Sequence, residues 1–423
     1  MTLLVVVDHG AVTSGDLVVG VAFHEHVAFV LPADHQAAEL VAVLEAAGPV
    51  VPLSGDEAAD LARLRTFAPT GILTFSERAL AGTARLADEL GLVFHRPDVV
   101  TALTDKAEQR ALLAKHGVDE VRSRTIGAAS QWPGVVAELG LPLVVKPIRG
   151  EGSRDTHLVH SCEAGEEILA DLLAGGTDAP TMVVEEYLVG VESAPFGDYI
   201  SVEYLSQGAR HDLIGLTGKL PQLPPFRETG QFVPATVAPE LQAEIVDLVG
   251  RALDALGVRD GITHTEVKLT ADGPRIIEVN GRLGGHLNEL YRRASALDMV
   301  ELAARVALGE AVVVAPTVAE RVYFQFYCQP PLTATRLLAV EGARDVLRQA
   351  GISGRRQLVR PGSRLPADSR SFDLDLICGE VGQHSELSSI PSSALLPLRC
   401  SFATPAGDVW LNAAEMLTRE GDH

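Results

Sequence analysis

The hydrophobic pattern of the first hundred residues switches repeatedly between two periods. Leu3 to Val7, Val27 to Leu31, Val50 to Leu53 and Gly71 to Phe75 are short apolar runs that predict strands. His35 to Ala47 and Glu77 to Leu90 carry helical spacing. Strand–helix alternation of this kind predicts a parallel α/β domain over residues 1–100. From Thr101 the pattern restarts, with Thr104-Asp105 capping a helix from Lys106 to His116 that Gly117 ends. Leu141 to Pro147 and Met182 to Leu188 are predicted as buried strands. Asp198 to Leu205 and Asp212 to Leu220 are predicted as an antiparallel pair with Glu203 and Lys219 inside it. Pro221 to Pro239 reads as an ordered loop, and Leu241 to Leu256 and Ser295 to Leu308 as helices. Beyond Gly309, Val312 to Val314 and Tyr323 to Tyr327 read as strands and Val340 to Gln349 as a helix, a small α+β appendage. The fold class expected is α/β and α+β.

The most regular alternation runs from Thr263 to His286, THTEVKLTADGPRIIEVNGRLGGH, where two segments flank the turn signal Ala271-Asp272-Gly273-Pro274 and predict a β-hairpin. Glu278 and Asn280 share one face of the second strand. A three-residue loop, Ala271-Asp272-Gly273, pairs Thr270 with Pro274 and sets Glu266 opposite Glu278; a two-residue Asp-Gly loop sets Glu266 opposite Val279 instead. The three-residue loop is the expectation taken here. It gathers two carboxylates and an amide oxygen on an otherwise apolar strand pair, a conflict that a hard divalent cation resolves. Oxygen-only ligation suits Mg²⁺ or Mn²⁺, and Mg²⁺ completes such sites with water and substrate phosphates. The plain alternative is a solvated hairpin face with scattered acids.

Composition narrows the class without naming it. The 423 residues are 47% hydrophobic, 22% charged and 5% aromatic, as in globular proteins of several domains. A formal charge of −21 argues against a general nucleic-acid or membrane-surface binder, so any polyphosphate must be held by local Lys, Arg, backbone amides and metal. Cys162, Cys328, Cys378 and Cys400 show neither metal-ligand spacing nor a disulfide framework. The opening Met1 to Asp8 reads as a strand rather than a signal peptide, no apolar run approaches the ~18 residues of a membrane span, and a cytoplasmic location is expected.

Several further stretches carry candidate chemistry. Lys106 lies in the first turn of its helix, against the macrodipole preference. Lys146 ends a buried strand just before Gly150-Glu151-Gly152-Ser153-Arg154-Asp155, a loop whose glycines permit close backbone approach to phosphate oxygens. The strand end at Glu185-Glu186-Tyr187-Leu188 exposes backbone groups beside apolar side chains, as an adenine ring requires, and Glu192 is four residues on from Leu188 for a ribose. Gly218-Lys219-Leu220 lacks the remainder of a P-loop motif.

In this order, the segments TDKAEQRALLAKHGV, VVKP, GEGSR, VEEYLVGVE, Lys219 and the hairpin acids resemble the ATP-grasp superfamily of carboxylate–amine ligases, over roughly Thr101 to Gly309. Within it, DYISVEY, GKLPQLPPFRETG and THTEVKL are most like the L-amino acid ligases, which join two amino acids into a dipeptide. The resemblance implies an ATP-grasp fold with an N-terminal parallel α/β domain (1–100), a central or lid subdomain (101–189), a catalytic subdomain with the metal hairpin (190–310) and a C-terminal α+β subdomain (311–423). It implies ATP contacts from Lys106, Lys146, Gly150, Gly152, Ser153, Arg154, Glu185, Glu186, Tyr187, Leu188 and Glu192, and two Mg²⁺ ions at Glu266, Glu278 and Asn280. Arg282, Lys219 and Gly285 become the catalytic candidates, and Glu203, Glu228, Gly284 and His286 the substrate-facing ones. The expected partners are small-molecule carboxylates and amines, amino acids foremost, with a homodimer allowed and neither nucleic acid nor membrane. The rivals are a ligase for a non-amino-acid carboxylate or amine, and a non-catalytic ATP-binding protein. One departure from the pattern is Arg154-Asp155-Thr156, where many relatives carry another Gly.

Overall fold

The computed structural model describes residues 2–33, 38–174, 180–366 and 371–418. Four strands, β1 (Thr2–Val6), β2 (Val27–Leu31), β3 (Val50–Pro52) and β4 (Pro69–Thr74), form a parallel sheet in the order β3-β2-β1-β4. Every residue of β1 and β2 is buried, as expected where helices cover both faces, and this produces their unbroken apolar runs. The helix expected from His35 is described as Ala38–Glu45, its first three positions lying outside the described residues. The helix expected from Glu77 starts only at Leu80, which leaves Ser76, Glu77 and Arg78 in the turn at the C-terminal end of β4.

Two helices, Pro97–Thr104 and Lys106–Lys115, then meet at Asp105, whose carboxylate accepts from the amides of Ala107 and Glu108 and so caps the second. A second sheet follows, built from β5 (Ser123–Ile126), β6 (Leu143–Pro147), β7 (His157–Val159) and β8 (Met182–Glu186) in the order β5-β8-β6-β7, all antiparallel. Its core packs around the fully buried Trp132. Gly165 lies against that indole so closely that a Cβ would come within 2.1 Å of it.

The largest sheet holds eight antiparallel strands in the order β13-β12-β9-β10-β11-β14-β17-β16. They are β9 (Tyr199–Gln207), β10 (Arg210–Lys219), β11 (Gly230–Val233), β12 (Gly261–Thr270), β13 (Gly273–Asn280), β14 (Val322–Tyr327), β16 (Ile352–Gln357) and β17 (Asp375–Val381). Three strands, β15 (Arg336–Glu341), β18 (Arg399–Thr404) and β19 (Gly407–Asn412), make a small sheet in the C-terminal part.

Three expectations are corrected here. The stretch read as a loop, Pro221 to Pro239, contains β11, which joins the hairpin half of the large sheet to β14 and the C-terminal half. Val312 to Val314 is not a strand: Val312 and Val314 are buried in the N-terminal core and Val313 is exposed, an alternation without a ladder. The helix expected from Val340 is only Ala343–Val346, because β15 takes the residues before it. Gly342 then turns the chain at φ +73°, against the carbonyl of Pro397. Among the described residues no helix is long and apolar enough to cross a membrane.

Candidate active site

The hairpin reaches the expected pairing by an unexpected route. Its turn has two residues, Ala271 and Asp272, so that Thr270 pairs with Gly273 and Leu269 with Pro274, contrary to the three-residue loop anticipated. Continued without a break, that register would set Glu266 opposite Ile277. A one-residue bulge at Ile277 shifts the ladder between Val267 and Glu266, and beyond it Glu266 faces Glu278 and His264 faces Asn280. His264, Glu266 and Lys268 share the first strand's face, and all three line a cavity of about 400 Å³ together with Glu278, Asn280 and Arg282.

At one end of this cavity lie the two candidate phosphate lysines. The Lys106 ammonium donates to the Gly150 carbonyl at 2.9 Å and meets Glu278 Oε1 at 2.9 Å. Burial alone would lower its pKa, but Glu278 overcomes this and holds it above the ordinary value. Lys146 pairs with Glu185 at 2.8 Å, and Arg110 grips the same carboxylate through two bonds of 2.8 and 3.0 Å. Burial would raise the Glu185 carboxyl; Arg110 and Lys146 instead bring it down to about 2. For Lys146 burial prevails, and the ammonium falls below its usual value. The Glu185 carboxylate is therefore spent on two cations and is not available for adenine. Glu186 likewise binds Arg122, so the wall beside Tyr187 and Leu188 offers backbone and apolar surface.

The loop at 150–154 covers this end, with Gly150 at φ +147° and Gly152 at φ +66°. Asp155 adopts φ +54° where the resemblance expects Gly, a left-handed conformation that Asp tolerates better than most residues. Arg282 lines the same cavity. It donates to Leu283 O at 3.1 Å and Asn280 Oδ1 at 3.3 Å, and pairs with Glu77 from the turn after β4 at 3.2 Å. Burial pushes the Glu77 carboxyl up to about 7. Lys219, almost fully buried, contacts Glu228 at 2.9 Å.

Not every expected residue reaches the cavity. Glu203 does not face it: fully buried, it accepts from His264 Nδ1 at 2.9 and 3.0 Å and from Ser201 at 2.7 Å. Burial would lower the His264 imidazole, yet Glu203 carries it up to about 9, and its Nε2 lies 3.6 Å from Glu266. Glu203 thus acts through His264 on Glu266. Gly284 is also off the wall, packed so tightly that a Cβ would stand 2.5 Å from His264 Nδ1, whereas Gly285 and His286 line the cavity. Glu192 is exposed outside it and accepts from the Ala194 amide.

Conversely, Arg110, His264, Lys268, Tyr199, Tyr327, Ser371 and Asp373 line the cavity without having been anticipated. The period-two spacing of His264, Glu266 and Lys268 was a readable signal for two of them. Ser371 and Asp373 lie in a stretch that carries none.

The donor set suits magnesium in one respect that can be tested on the side chains themselves. Among the described residues no group of three or more His, Cys, Asp and Glu side chains could hold a metal. Glu266, Glu278 and Asn280 present oxygen only, and two carboxylates with phosphate oxygens are what Mg²⁺ accepts. Lys106 pairs with Glu278 and His264 with Glu266, and the charge of Arg282 also favours the ionised Glu266.

Residues 139–289 match the ATP-grasp domain model. The chain is 30% identical to an uncharacterized protein of Sinorhizobium fredii over 58% of this chain and 50% of that protein. It is 27% identical to alanine–anticapsin ligase of Bacillus subtilis, over 56% of this chain and 53% of that one. Carnosine synthase 1 of Homo sapiens is 28% identical over 59% of this chain and 32% of its own length. The chain spans about half the length of the first two relatives. Among solved structures, the L-amino acid ligase from Bacillus licheniformis superposes with a TM-score of 0.73 at 22% identity, over 92% of this chain and 95% of that one. The 2-oxoglutarate carboxylase biotin carboxylase domain of Hydrogenobacter thermophilus, in complex with MgADP, gives 0.71 at 14% identity, over 98% and 92%. Residues 139–289 carry an ATP-grasp domain, and the chain shares the ATP-grasp fold of that L-amino acid ligase structure.

Proposed function

We propose that the protein is an ATP-dependent ligase that joins the carboxylate of one amino acid to the amine of another, with release of ADP and phosphate. The observation that carries this reading is a single cavity in which Lys106, Lys146 and the 150–154 loop face the paired acids Glu266 and Glu278, with Arg282 and Lys219 alongside. The similarity to alanine–anticapsin ligase and carnosine synthase supports amino acids as both substrates.

In this mechanism Lys106, Lys146 and the loop amides bind the ATP phosphates, and the backbone at 186–188 takes the adenine. Glu266, Glu278 and Asn280 would hold Mg²⁺, which neutralises phosphate charge when bound. A substrate carboxylate oxygen attacks the γ-phosphorus; the bond to the β–γ bridging oxygen breaks, leaving ADP and an acyl phosphate. Arg282 and Lys219 offset the charge on the transferring group. The amine nitrogen of the second substrate then attacks the acyl carbon, and the carbon–oxygen bond to phosphate breaks. Glu228, an expected substrate-facing acid that lines the cavity and contacts Lys219, orients that amine and accepts its proton. Holding both reactants together contributes on the order of 7–11 kcal/mol. The loop excludes water from the acyl phosphate.

The test is a panel of amino-acid pairs with ATP and Mg²⁺, read by phosphate release and product mass. Phosphate release that depends on two amino acids, with a dipeptide mass, is expected. ADP formed only with a non-amino-acid carboxylate or amine would reassign the substrates, and no ADP with any acceptor would leave a nucleotide-binding protein.

A further inference from the structure

We propose that Asp373 is a specificity-determining residue that selects an amino acid with a positively charged side chain, an inference that rests on the ligase reading. Asp373 stands just before β17 and reaches the cavity wall near His286, Tyr327 and Glu228. Its carboxylate is held in place: Gln329 Nε2 donates to Oδ1 at 2.6 Å, and His286 Nε2 lies 3.1 Å from Oδ2. Gln329 is itself buried, and its Oε1 accepts from the Phe372 amide at 2.8 Å, so side chain and backbone of this segment are fixed together. Two of the roughly four acceptor sites on an ionised carboxylate are thereby used, and the others remain for a ligand.

Charge decides what that ligand is. Glu228 and Asp373 both face the cavity on this side, and each contributes to raising the Tyr327 hydroxyl well above its ordinary pKa after burial itself. Lys219 compensates Glu228 at 2.9 Å. Among the described residues the partners of Asp373 are a neutral amide and an imidazole, neither of which carries an obligatory charge. A half-buried carboxylate without a fixed counter-ion favours a cation, and an adjacent aromatic ring strengthens that preference. With Glu228 already paired to Lys219 and placed to orient the α-amine, Asp373 is the acid left for a side-chain ammonium or guanidinium.

The same segment is tied to the phosphate loop, since the Ser371 amide donates to Gly152 O at 3.0 Å and the Glu228 amide to Ser371 Oγ at 3.0 Å. A side chain lodged on Asp373 therefore bears on the element that covers the phosphates.

The experiment compares lysine with norleucine and arginine with citrulline, near-isosteric pairs that differ in charge. Binding is measured by calorimetry to the full chain with Mg²⁺ and a non-hydrolysable ATP analogue, for the parent protein and Asp373→Asn. Asn keeps the shape and one acceptor for Gln329, and unchanged affinity for the ATP analogue verifies the fold. The parent is expected to favour the charged member of each pair roughly ten- to hundredfold, and Asp373→Asn to lose that preference. Equal binding within the pairs, or a preference that survives in Asp373→Asn, overturns the proposal. Charge discrimination without turnover of any amino-acid pair would instead remove the ligase reading and leave the selection by Asp373 standing.

Discussion

Replacing Glu185 by Gln removes the one carboxylate that holds two buried cations apart. Arg110 Nε and Nη2 and Lys146 Nζ all lie within 3.0 Å of it, and all three side chains are almost fully buried. A carboxyl brought from 4.5 to about 2 corresponds to about 3 kcal/mol of stabilisation. Removing one partner of a buried pair independently costs about 3–5 kcal/mol. The two routes agree, so Glu185→Gln should lose about 3 kcal/mol at pH 7. Trp132, which begins a helix packed on the sheet that carries Glu185 and is buried in their shared core, gives a local fluorescence signal for urea unfolding of the nucleotide-free protein. The pH dependence has a fixed sign. Because the folded-state pKa is depressed, the contribution is complete above about pH 4.5 and fades as pH falls toward 2. The gap between parent and variant should hold constant from pH 7 to about 5 and narrow below it. A gap under about 1 kcal/mol at pH 7, or one that widens in acid, would refute the reasoning from paired charges.

Glu278→Gln should abolish ADP formation while the far-ultraviolet spectrum stays unchanged; full turnover at ordinary Mg²⁺ would remove Glu278 from the metal site. Arg282→Ala should lower kcat by roughly a hundredfold or more with little change in ATP affinity, because its task falls on the transferring phosphoryl group; the reverse split would make Arg282 a nucleotide-binding residue. Gly284→Ala should destabilise by about 1–3 kcal/mol through the clash with His264 and Leu287, and should raise the Mg²⁺ concentration needed for half-maximal rate through displacement of His264 from Glu266. Unaltered stability and Mg²⁺ dependence would show that the helix after it, Leu287–Ser295, yields freely.

What the sequence made legible follows the strength of local signals. β1, β2, β6 and β8 read clearly because strands buried on both faces leave continuous apolar runs. Lys106, Lys146 and the paired acids were legible as residue types at the start of a helix, at the end of a strand and on alternating strand positions. The reach of Glu203 was not, because a buried carboxylate and a cavity-facing one look alike until the neighbour, here His264, is placed. β11 was hidden among prolines, and it takes one edge from the preceding strand β10 and the other from β14, far away in sequence. Ser371 and Asp373 enter the site through tertiary packing alone, and Glu77 through the late start of its helix at Leu80.

The bulge at Ile277 reconciles a two-residue turn with an acid pair. With the turn at Ala271-Asp272, an unbroken ladder would set Glu266 opposite Ile277; the extra residue carries Glu278 and Asn280 one place further, opposite Glu266 and His264. Excising Ile277 alone would restore a regular ladder and leave Glu278 facing Glu266, whereas one residue gained or lost at the tip, with the bulge kept, would slide both acids out of phase.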